Sequence, residues 1–274
     1  MATKLIGIMA PASRLDPAIA EAVTELAGGL EEAPRLFFHP QCFLSSGHFA
    51  GGDAARAQAF LDIANGPDFD ALWIGRGGYG SCRIAQTVLP QLNEAARNKL
   101  YLGYSDAGAL LAGLYRHGCR VAHGPMPADI LRPDGETAVT RALSWLCTGD
   151  KRALEASLEP GMKAAAFNMI VFSQLLGTAL EPDLSDHVLM LEEVSEHLYG
   201  IDRSMFHIAS TPSVQRVRGI RLGRVSDILP NDPPFAETEE EIVRRWCEDS
   251  DIAYLGRADI GHDSDNKVVP FGPV

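Results

Sequence analysis

The sequence lacks paired cysteine motifs, long hydrophobic runs and any excess of basic residues. Its five cysteines are odd in number, widely spaced and never arranged as C-x-x-C, which argues against a disulfide framework and against a zinc knuckle. A reducing cytoplasm is therefore the expected compartment. The apolar run before Pro11 is shorter than the core of a signal peptide, and no stretch approaches the length of a membrane span.

Positive charge is scarce as well. The chain carries 24 Lys and Arg residues against 36 Asp and Glu residues, which gives a formal net charge of −12. Since there is no basic stripe for a phosphate backbone, nucleic acid is not an expected partner, and the acidic surface disfavours anionic membranes. The glycine spacing of a dinucleotide loop or a P-loop is also absent, so we expect no cofactor.

What the chain does contain is an alternation of short apolar runs and helical patterns. In the first half these runs fall at residues 4–9, 36–38, 71–74 and 100–102 and around Val121. The alternation predicts an α/β fold with a doubly wound, mainly parallel sheet in an N-terminal domain of residues 1–150. Residues 151–164 lose this periodicity and are interpreted as a linker. A smaller α+β C-terminal domain is expected over residues 165–274.

Residues 100–111 (LYLGYSDAGALL) combine an apolar strand, a turn and the start of a helix. Ser105 is therefore placed on a strand-to-helix turn, where a hydroxyl can project beside two backbone N–H groups at the positive end of a helix. This is the local arrangement of a serine nucleophile. In the alternative interpretation, Ser105 or Asp106 is only a helix N-cap.

Two further motifs follow predicted strands at the same edge of the sheet. Residues 75–80 (GRGGYG) contain four glycines, which allow backbone N–H groups to approach a ligand closely, although a tight turn is an equal alternative. His123 ends the strand around Val121 and is either a substrate contact or a satisfied turn residue.

Acidic residues and a histidine occur at strand ends in the second half. Glu192 directly follows the apolar run 188–191, whereas Glu193 points to the opposite face and Glu196 lies in a less constrained segment. One of these acids either orients a base or is simply solvated. His262 near the C-terminus completes the order serine, acid, histidine found in α/β-hydrolases. A metal site made of His262, Asp263 and Asp265 is the alternative.

Five groups of motifs occur together in the order of one known family: Arg76-Gly77-Gly78-Tyr79-Gly80, Gly103-Tyr104-Ser105-Asp106, His123-Gly124-Pro125, Leu191-Glu192-Glu193 with Ile201-Asp202-Arg203, and Gly261-His262 with Pro270-Phe271-Gly272. Through these motifs the chain resembles, from about residue 5 to residue 272, the L,D-carboxypeptidases (muramoyltetrapeptide carboxypeptidases) of serine peptidase family S66. This family also contains the microcin C7 self-immunity proteins.

The resemblance implies a catalytic triad of Ser105, Glu192 and His262 carried by two domains. It also implies an oxyanion hole built from the Asp106 N–H and a glycine of the glycine-rich loop, Gly78 or its neighbour Gly77. Arg76 and His123 are then candidate substrate-binding residues. No metal is implied, and a homodimer is expected from the resemblance alone.

The implied activity is the release of the terminal D-alanine from muropeptide tetrapeptides during cytoplasmic peptidoglycan recycling. Residues 166–169 (AFNM) depart from the usual Gly-Gly-Asn-Leu and leave the substrate open. One alternative is a microcin-type amidase or another serine acyl hydrolase. The other is a small-ligand binding module in which Ser105 is only a cap.

Overall fold

The computed structural model describes residues 3–274 and contains two mainly parallel sheets. The strands and helices of the first part are β1 (Leu5–Met9), α1 (Pro17–Gly28), β2 (Arg35–Phe38), α2 (Asp53–Ala64), β3 (Ala71–Ile74), α3 (Ser81–Val88), α4 (Glu94–Asn98), β4 (Leu100–Gly103), α5 (Gly108–Arg116), β5 (Arg120–His123) and α6 (Gly135–Thr148). This alternation confirms the predicted βαβ organisation.

The second part has its own sheet. Its strands and helices are β6 (Lys163–Asn168), α7 (Met169–Leu175), β7 (Val188–Val194), α8 (Leu198–Ser210), β8 (Gly219–Ser226), α9 (Glu239–Asp249), β9 (Tyr254–Arg257), β10 (Val269–Pro270) and β11 (Gly272–Pro273). Strands β6 to β9 run parallel to one another, so this smaller domain combines helices with a mainly parallel sheet. Within residues 3–274, every helix is too short or too polar to span a bilayer.

The first sheet has the strand order β10-β5-β4-β3-β1-β2, and the second has the order β11-β6-β7-β8-β9. Strand β10 runs antiparallel to β5, so the C-terminal segment of the chain returns to the first sheet. This return places the loop between β9 and β10 beside the carboxyl ends of the first sheet's strands. The division into domains at residues 151–164 stays a prediction.

Strand β3 shows why the first sheet is apolar on both faces. Trp73 packs into a cluster with residues of α1 and α6, whereas Leu72 and Ile74 face a second cluster. All three side chains are buried, as expected for a parallel strand covered by helices on both sides. The second cluster continues into the other sheet through Phe167 and Leu191. The two sheets therefore share one hydrophobic core.

Candidate active site

Ser105 occupies a strained turn between β4 and α5. Its φ angle is 60°, and it begins a short 3₁₀ turn that runs to Ala107, directly before α5. A positive φ is uncommon for a residue other than glycine, and such strain is concentrated at functional sites. The turn therefore has the backbone geometry expected of a nucleophile at the end of a strand.

The glycine-rich loop packs directly against this turn. A Cβ atom added to Gly77 would lie 3.0 Å from both the Cβ and the Oγ atoms of Ser105. The Asp106 carboxylate fixes this contact, because it accepts hydrogen bonds from the backbone N–H groups of Gly80 (3.3 Å) and Ser81 (2.9 Å). Asp106 therefore caps α3, not α5. Burial raises the pKa of Asp106, although these N–H donors oppose the shift.

Glu192 and His262 form a buried pair on the second domain. The His262 Nδ1–H group donates to Glu192 Oε2 at 2.6 Å, and the Glu192 side chain is fully buried within β7. Burial disfavours the charged imidazolium, but the charge and the hydrogen bond of Glu192 outweigh this effect and raise the pKa of His262. This hydrogen bond leaves His262 Nε2 as the nitrogen that can accept a proton.

A glycine on β8 allows these two residues to meet. A Cβ atom on Gly223 would lie 2.9 Å from the Cβ of Glu192 and 2.7 Å from Cγ1 of Ile260, two residues before His262. Any side chain at this position would push the two segments apart. Gly223 is a site-building residue that the sequence analysis did not identify.

The loop that carries His262 is held by polar side chains from several elements. Arg224 on β8 forms a bidentate ion pair with Asp263, and Asn266 Oδ1 accepts the Gly261 N–H at 3.2 Å. Arg141 of α6 donates to the Asn266 carbonyl at 2.9 Å. Because Asp263 is engaged by Arg224, the predicted metal alternative is not supported. Residues 3–274 contain no group of three or more side chains suited to hold a metal ion.

Ser105 and His262 line one cleft of about 320 Å³. The other predicted residues that line it are Arg76, Gly77 and Gly78. Within residues 3–274 the hydrogen bond of the His262 ring goes to Glu192 and not to Ser105. Catalytic hydrogen bonds are often long in unliganded enzymes and shorten when substrate binds. The cleft thus brings together a hydroxyl, an imidazole and a glycine-rich backbone segment.

His123 is not at the surface of this cleft. It is 1% exposed, its Nε2–H group donates to Asn266 Oδ1 at 3.0 Å, and its ring packs edge-on against Tyr104. Burial lowers the pKa of His123 and keeps it neutral. The structure therefore places His123 behind the site, where it contacts the loop that carries His262.

The sequence analysis missed a polar group in the lining of the cleft. Asp129 accepts hydrogen bonds from the Tyr104 hydroxyl (2.7 Å) and from Arg132 Nε (2.9 Å). Tyr104 directly precedes Ser105, and its ring centroid lies 4.8 Å from that of His262. The only sequence signal for this group was its position after the motif that begins at His123.

The departure from the family pattern at residues 166–169 does not form part of the cleft lining. Ala166 and Phe167 are buried in β6, and the Phe167 ring packs against Phe172 and Phe271. Asn168 caps α7 and donates to the Glu193 carboxylate at 2.7 Å. The altered segment therefore acts on the packing between the sheets.

The comparisons with known proteins identify the family of the chain. The model of the LD-carboxypeptidase N-terminal domain (peptidase S66) matches residues 6–124, and that of the C-terminal domain matches residues 165–273. A putative carboxypeptidase of Synechocystis is 30% identical over 230 residues, which cover 82% of this chain and 75% of that protein. The murein tetrapeptide carboxypeptidase of Pseudomonas aeruginosa is 25% identical over 249 residues, which cover 82% and 78%.

Solved structures share the fold. The muramoyltetrapeptide carboxypeptidase of Oxalobacter formigenes has a TM-score of 0.81 at 21% identity, covering 97% of this chain and 93% of that one. The microcin C7 self-immunity protein in its wild-type unliganded state has a TM-score of 0.77 at 18% identity, covering 99% and 92%. The chain belongs to the S66 peptidases, the LD-carboxypeptidase family, and is a hydrolase.

Proposed function

We propose that this protein is a serine L,D-carboxypeptidase that releases the terminal D-alanine from muropeptide tetrapeptides in peptidoglycan recycling. One observation carries the proposal. The strained Ser105 turn and His262, which is bonded to the buried Glu192 carboxylate, line the same cleft in a chain of the S66 family. The relative from Pseudomonas aeruginosa is named a murein tetrapeptide carboxypeptidase, which supports this substrate class.

In the proposed mechanism, His262 Nε2 takes the proton of the Ser105 hydroxyl as its oxygen attacks the scissile carbonyl carbon. Glu192 accepts the Nδ1–H bond, fixes the tautomer and stabilises the imidazolium that forms. The imidazolium then gives its proton to the leaving amine of D-alanine. Water, activated by His262 in the same way, hydrolyses the acyl-enzyme and restores Ser105.

The oxyanion is proposed to bind the backbone N–H groups of Asp106 and Gly78. The Gly77 carbonyl accepts a hydrogen bond from Ser13 N at 3.4 Å. Since N–H and C=O point in opposite directions across a trans peptide, the Gly78 N–H points away from Ser13. Gly78 has a φ of 118°, which a residue with a side chain rarely adopts. These observations favour Gly78 over Gly77 as the donor.

The test is incubation of the purified protein with a tetrapeptide that ends in diaminopimelate-D-alanine and with its all-L counterpart, followed by mass spectrometry. We expect loss of one alanine from the first peptide only. Equal cleavage of both peptides, or of neither, would contradict the L,D assignment. A microcin-type aminoacyl substrate in a parallel reaction tests the amidase alternative.

A fluorophosphonate probe separates the enzyme from a binding module. Stoichiometric labelling that is lost in Ser105→Ala is expected for a serine hydrolase. Retention of labelling in Ser105→Ala would assign the reactive group to another residue and remove the basis of the proposed triad.

We also propose that the protein works in the cytoplasm as a homodimer. The cytoplasmic assignment is supported by the five cysteines, all of which are free thiols. The homodimer rests on family resemblance, and light scattering at micromolar concentration tests it. A mass near 29.6 kDa, that of one chain, would contradict the dimer.

A further inference from the structure

The cleft contains an arginine whose orientation is fixed from behind. Arg132 donates through Nε to the Asp129 carboxylate at 2.9 Å, and the Arg132 side chain is 37% exposed. Asp129 is itself 4% exposed and also accepts the Met126 N–H at 2.8 Å and the Tyr104 hydroxyl. A carboxylate held by these donors cannot swing, so it holds the guanidinium in one orientation.

The terminal NH₂ groups of this guanidinium are suited to bind a ligand. Because Nε is engaged by Asp129, the two terminal NH₂ groups remain, and within residues 3–274 Arg132 has no second carboxylate partner. Two parallel N–H donors are the arrangement that binds a carboxylate in a bidentate manner. Arg132 lines the reactive cleft and supplies positive charge there, although the chain as a whole has a net charge of −12.

We propose that Arg132 binds the free terminal carboxylate of the substrate and thereby restricts the enzyme to the last peptide bond. The inference rests on the proposed function, since it concerns the same cleft. In a C-terminal dipeptide unit the carboxylate carbon lies three covalent bonds beyond the scissile carbonyl carbon. An anchor must therefore lie next to the nucleophile. Arg132 meets this requirement, because Asp129 bonds both Arg132 and Tyr104, the residue before Ser105.

Electrostatics agree with this placement. Burial and the Glu192 carboxylate dominate the pKa of His262, and the positive charge of Arg132 lowers it by a smaller amount. Arg132 is therefore within electrostatic range of the catalytic imidazole. A bound carboxylate would neutralise that charge when substrate is present.

Arg76 is the other arginine of the cleft and is less suited to this role. Its Nη1 donates to the backbone carbonyl of Arg14 at 3.2 Å, and no carboxylate holds it in residues 3–274. An exposed, weakly held arginine loses more side-chain entropy when it orders around a ligand. Arg132, already fixed by Asp129, loses less.

The test compares two substrates that differ only at the C-terminus: the free-acid tetrapeptide and its C-terminal amide. In the wild-type protein we expect kcat/KM for the acid to exceed that for the amide by at least about a hundredfold, since a charge-assisted bidentate contact is lost. Arg132→Gln should reduce kcat/KM for the acid by about the same factor and change kcat/KM for the amide by much less, so that the preference for the acid is lost. Arg132→Lys keeps the charge but loses the two parallel N–H donors, so its kcat/KM for the acid should lie between those of the wild type and Arg132→Gln.

Controls separate this inference from a folding defect and from the proposed function. In Arg132→Gln the fluorophosphonate probe should still label Ser105 stoichiometrically, which shows that the fold and the nucleophile are intact, whereas the melting temperature should fall because buried Asp129 loses a partner. Arg152 is similarly paired with a carboxylate but is exposed, so Arg152→Gln should leave kcat/KM unchanged for both substrates. Equal losses for acid and amide in Arg132→Gln would overturn the carboxylate anchor alone. Wild-type protein that cleaves no tetrapeptide would overturn the proposed function and the anchor together.

Discussion

Ser105 and His262 face the same cleft, but the chain holds them there in different ways. Ser105 is placed by backbone geometry: a strand end, a positive φ and a glycine-rich loop packed against the turn. His262 lies in a loop between β9 and β10 and is placed by side chains, chiefly the Glu192 contact and the Arg224–Asp263 ion pair.

This difference predicts which substitutions the serine side and the histidine side of the cleft tolerate. Backbone geometry is local, so apart from its contact with the glycine-rich loop the serine turn depends on a few residues close in sequence. The position of His262 depends on contacts with residues up to 143 positions apart, as for His123 and Asn266. We therefore expect substitutions of distant polar or glycine residues to damage the histidine side of the site more than the serine side.

The largest expected effect comes from Glu192→Gln. The carboxylate fixes the His262 tautomer and stabilises the imidazolium, and loss of the equivalent acid in a serine triad costs about 10⁴-fold in turnover. We expect a fall in kcat of this order with KM changed by less than about threefold, because the acid does not contact substrate. Steady-state kinetics on the tetrapeptide measure both constants.

Glu193→Gln is the matched control at the adjacent position. Glu193 is also buried, but its carboxylate accepts hydrogen bonds from Asn168, from Ile170 N at 2.9 Å and from Val194 N at 2.9 Å. An amide NH₂ group would leave one of these donors unpaired, so we expect about 1–3 kcal/mol lower unfolding free energy and an activity within about tenfold of wild type. If Glu193→Gln abolished turnover while Glu192→Gln stayed active, the triad would have to be redrawn.

Gly223→Ala should have the next largest effect. The new Cβ atom would lie 2.8 Å from the Ile260 carbonyl oxygen and 2.9 Å from the Glu192 Cβ, so both segments must move. A displacement of about 1 Å at a catalytic group costs about a hundredfold in rate. We expect that loss in kcat/KM. Gly28→Ala, at a position where no atom lies within 4 Å of the new Cβ, should be silent. Similar activities for the two variants would show that the histidine side tolerates backbone shifts.

These contrasts also explain how much of the protein could be read from its sequence. The strand at residues 71–74 was predicted with its observed bounds, because a short apolar run between turn residues is a local signal. Strand β2 begins at Arg35, one residue before the predicted run at 36–38, because pairing with β1 places Arg35 opposite Leu5. Boundaries set by tertiary packing are not encoded in the local pattern.

The site residues likewise divide into those with a local sequence signal and those placed by tertiary contacts. The turn at Ser105 could be identified as a possible nucleophile from its strand, turn and helix, whereas Glu192 and His262 were linked only through their order in the chain and the family resemblance. Their 70-residue separation leaves no local signal. Arg132 and Gly223 were missed for the same reason, because their roles depend on which residues the fold brings next to them.

A smaller effect is expected in the pH profile. Burial opposes the imidazolium, yet Glu192 raises the pKa of His262 above its ordinary value of 6.5. His262 must be neutral to act as base, so the acidic limb of the kcat/KM profile of the wild type should follow the pKa of His262 and lie above pH 6.5. On that limb kcat/KM should fall by about tenfold for each pH unit. In Glu192→Gln the residual activity should show this limb at lower pH. An unchanged limb would remove His262 as the titrating base.

The same shift predicts the sign of the stability change. A pKa raised by folding stabilises the protein at pH values below the unfolded pKa of histidine, and this stabilisation is lost as the pH rises through the folded pKa. Glu192→Gln should therefore lower the unfolding free energy most at acidic pH. Denaturant titrations across this range measure the difference.

Chelation should have no effect. The metal alternative required His262, Asp263 and Asp265 to act together, but His262 Nδ1 is bonded to Glu192, and Asp263 is bonded to Arg224 and to the Asp265 N–H at 2.9 Å. A metal ion would have to displace the Arg224 ion pair that holds the histidine loop in place. We expect kcat/KM to be unchanged by EDTA and by Asp265→Asn. A loss of activity in EDTA that zinc restores would show instead that a metal ion organises the histidine side of the cleft. The contrast with the serine side would then rest on metal coordination and not on side-chain contacts.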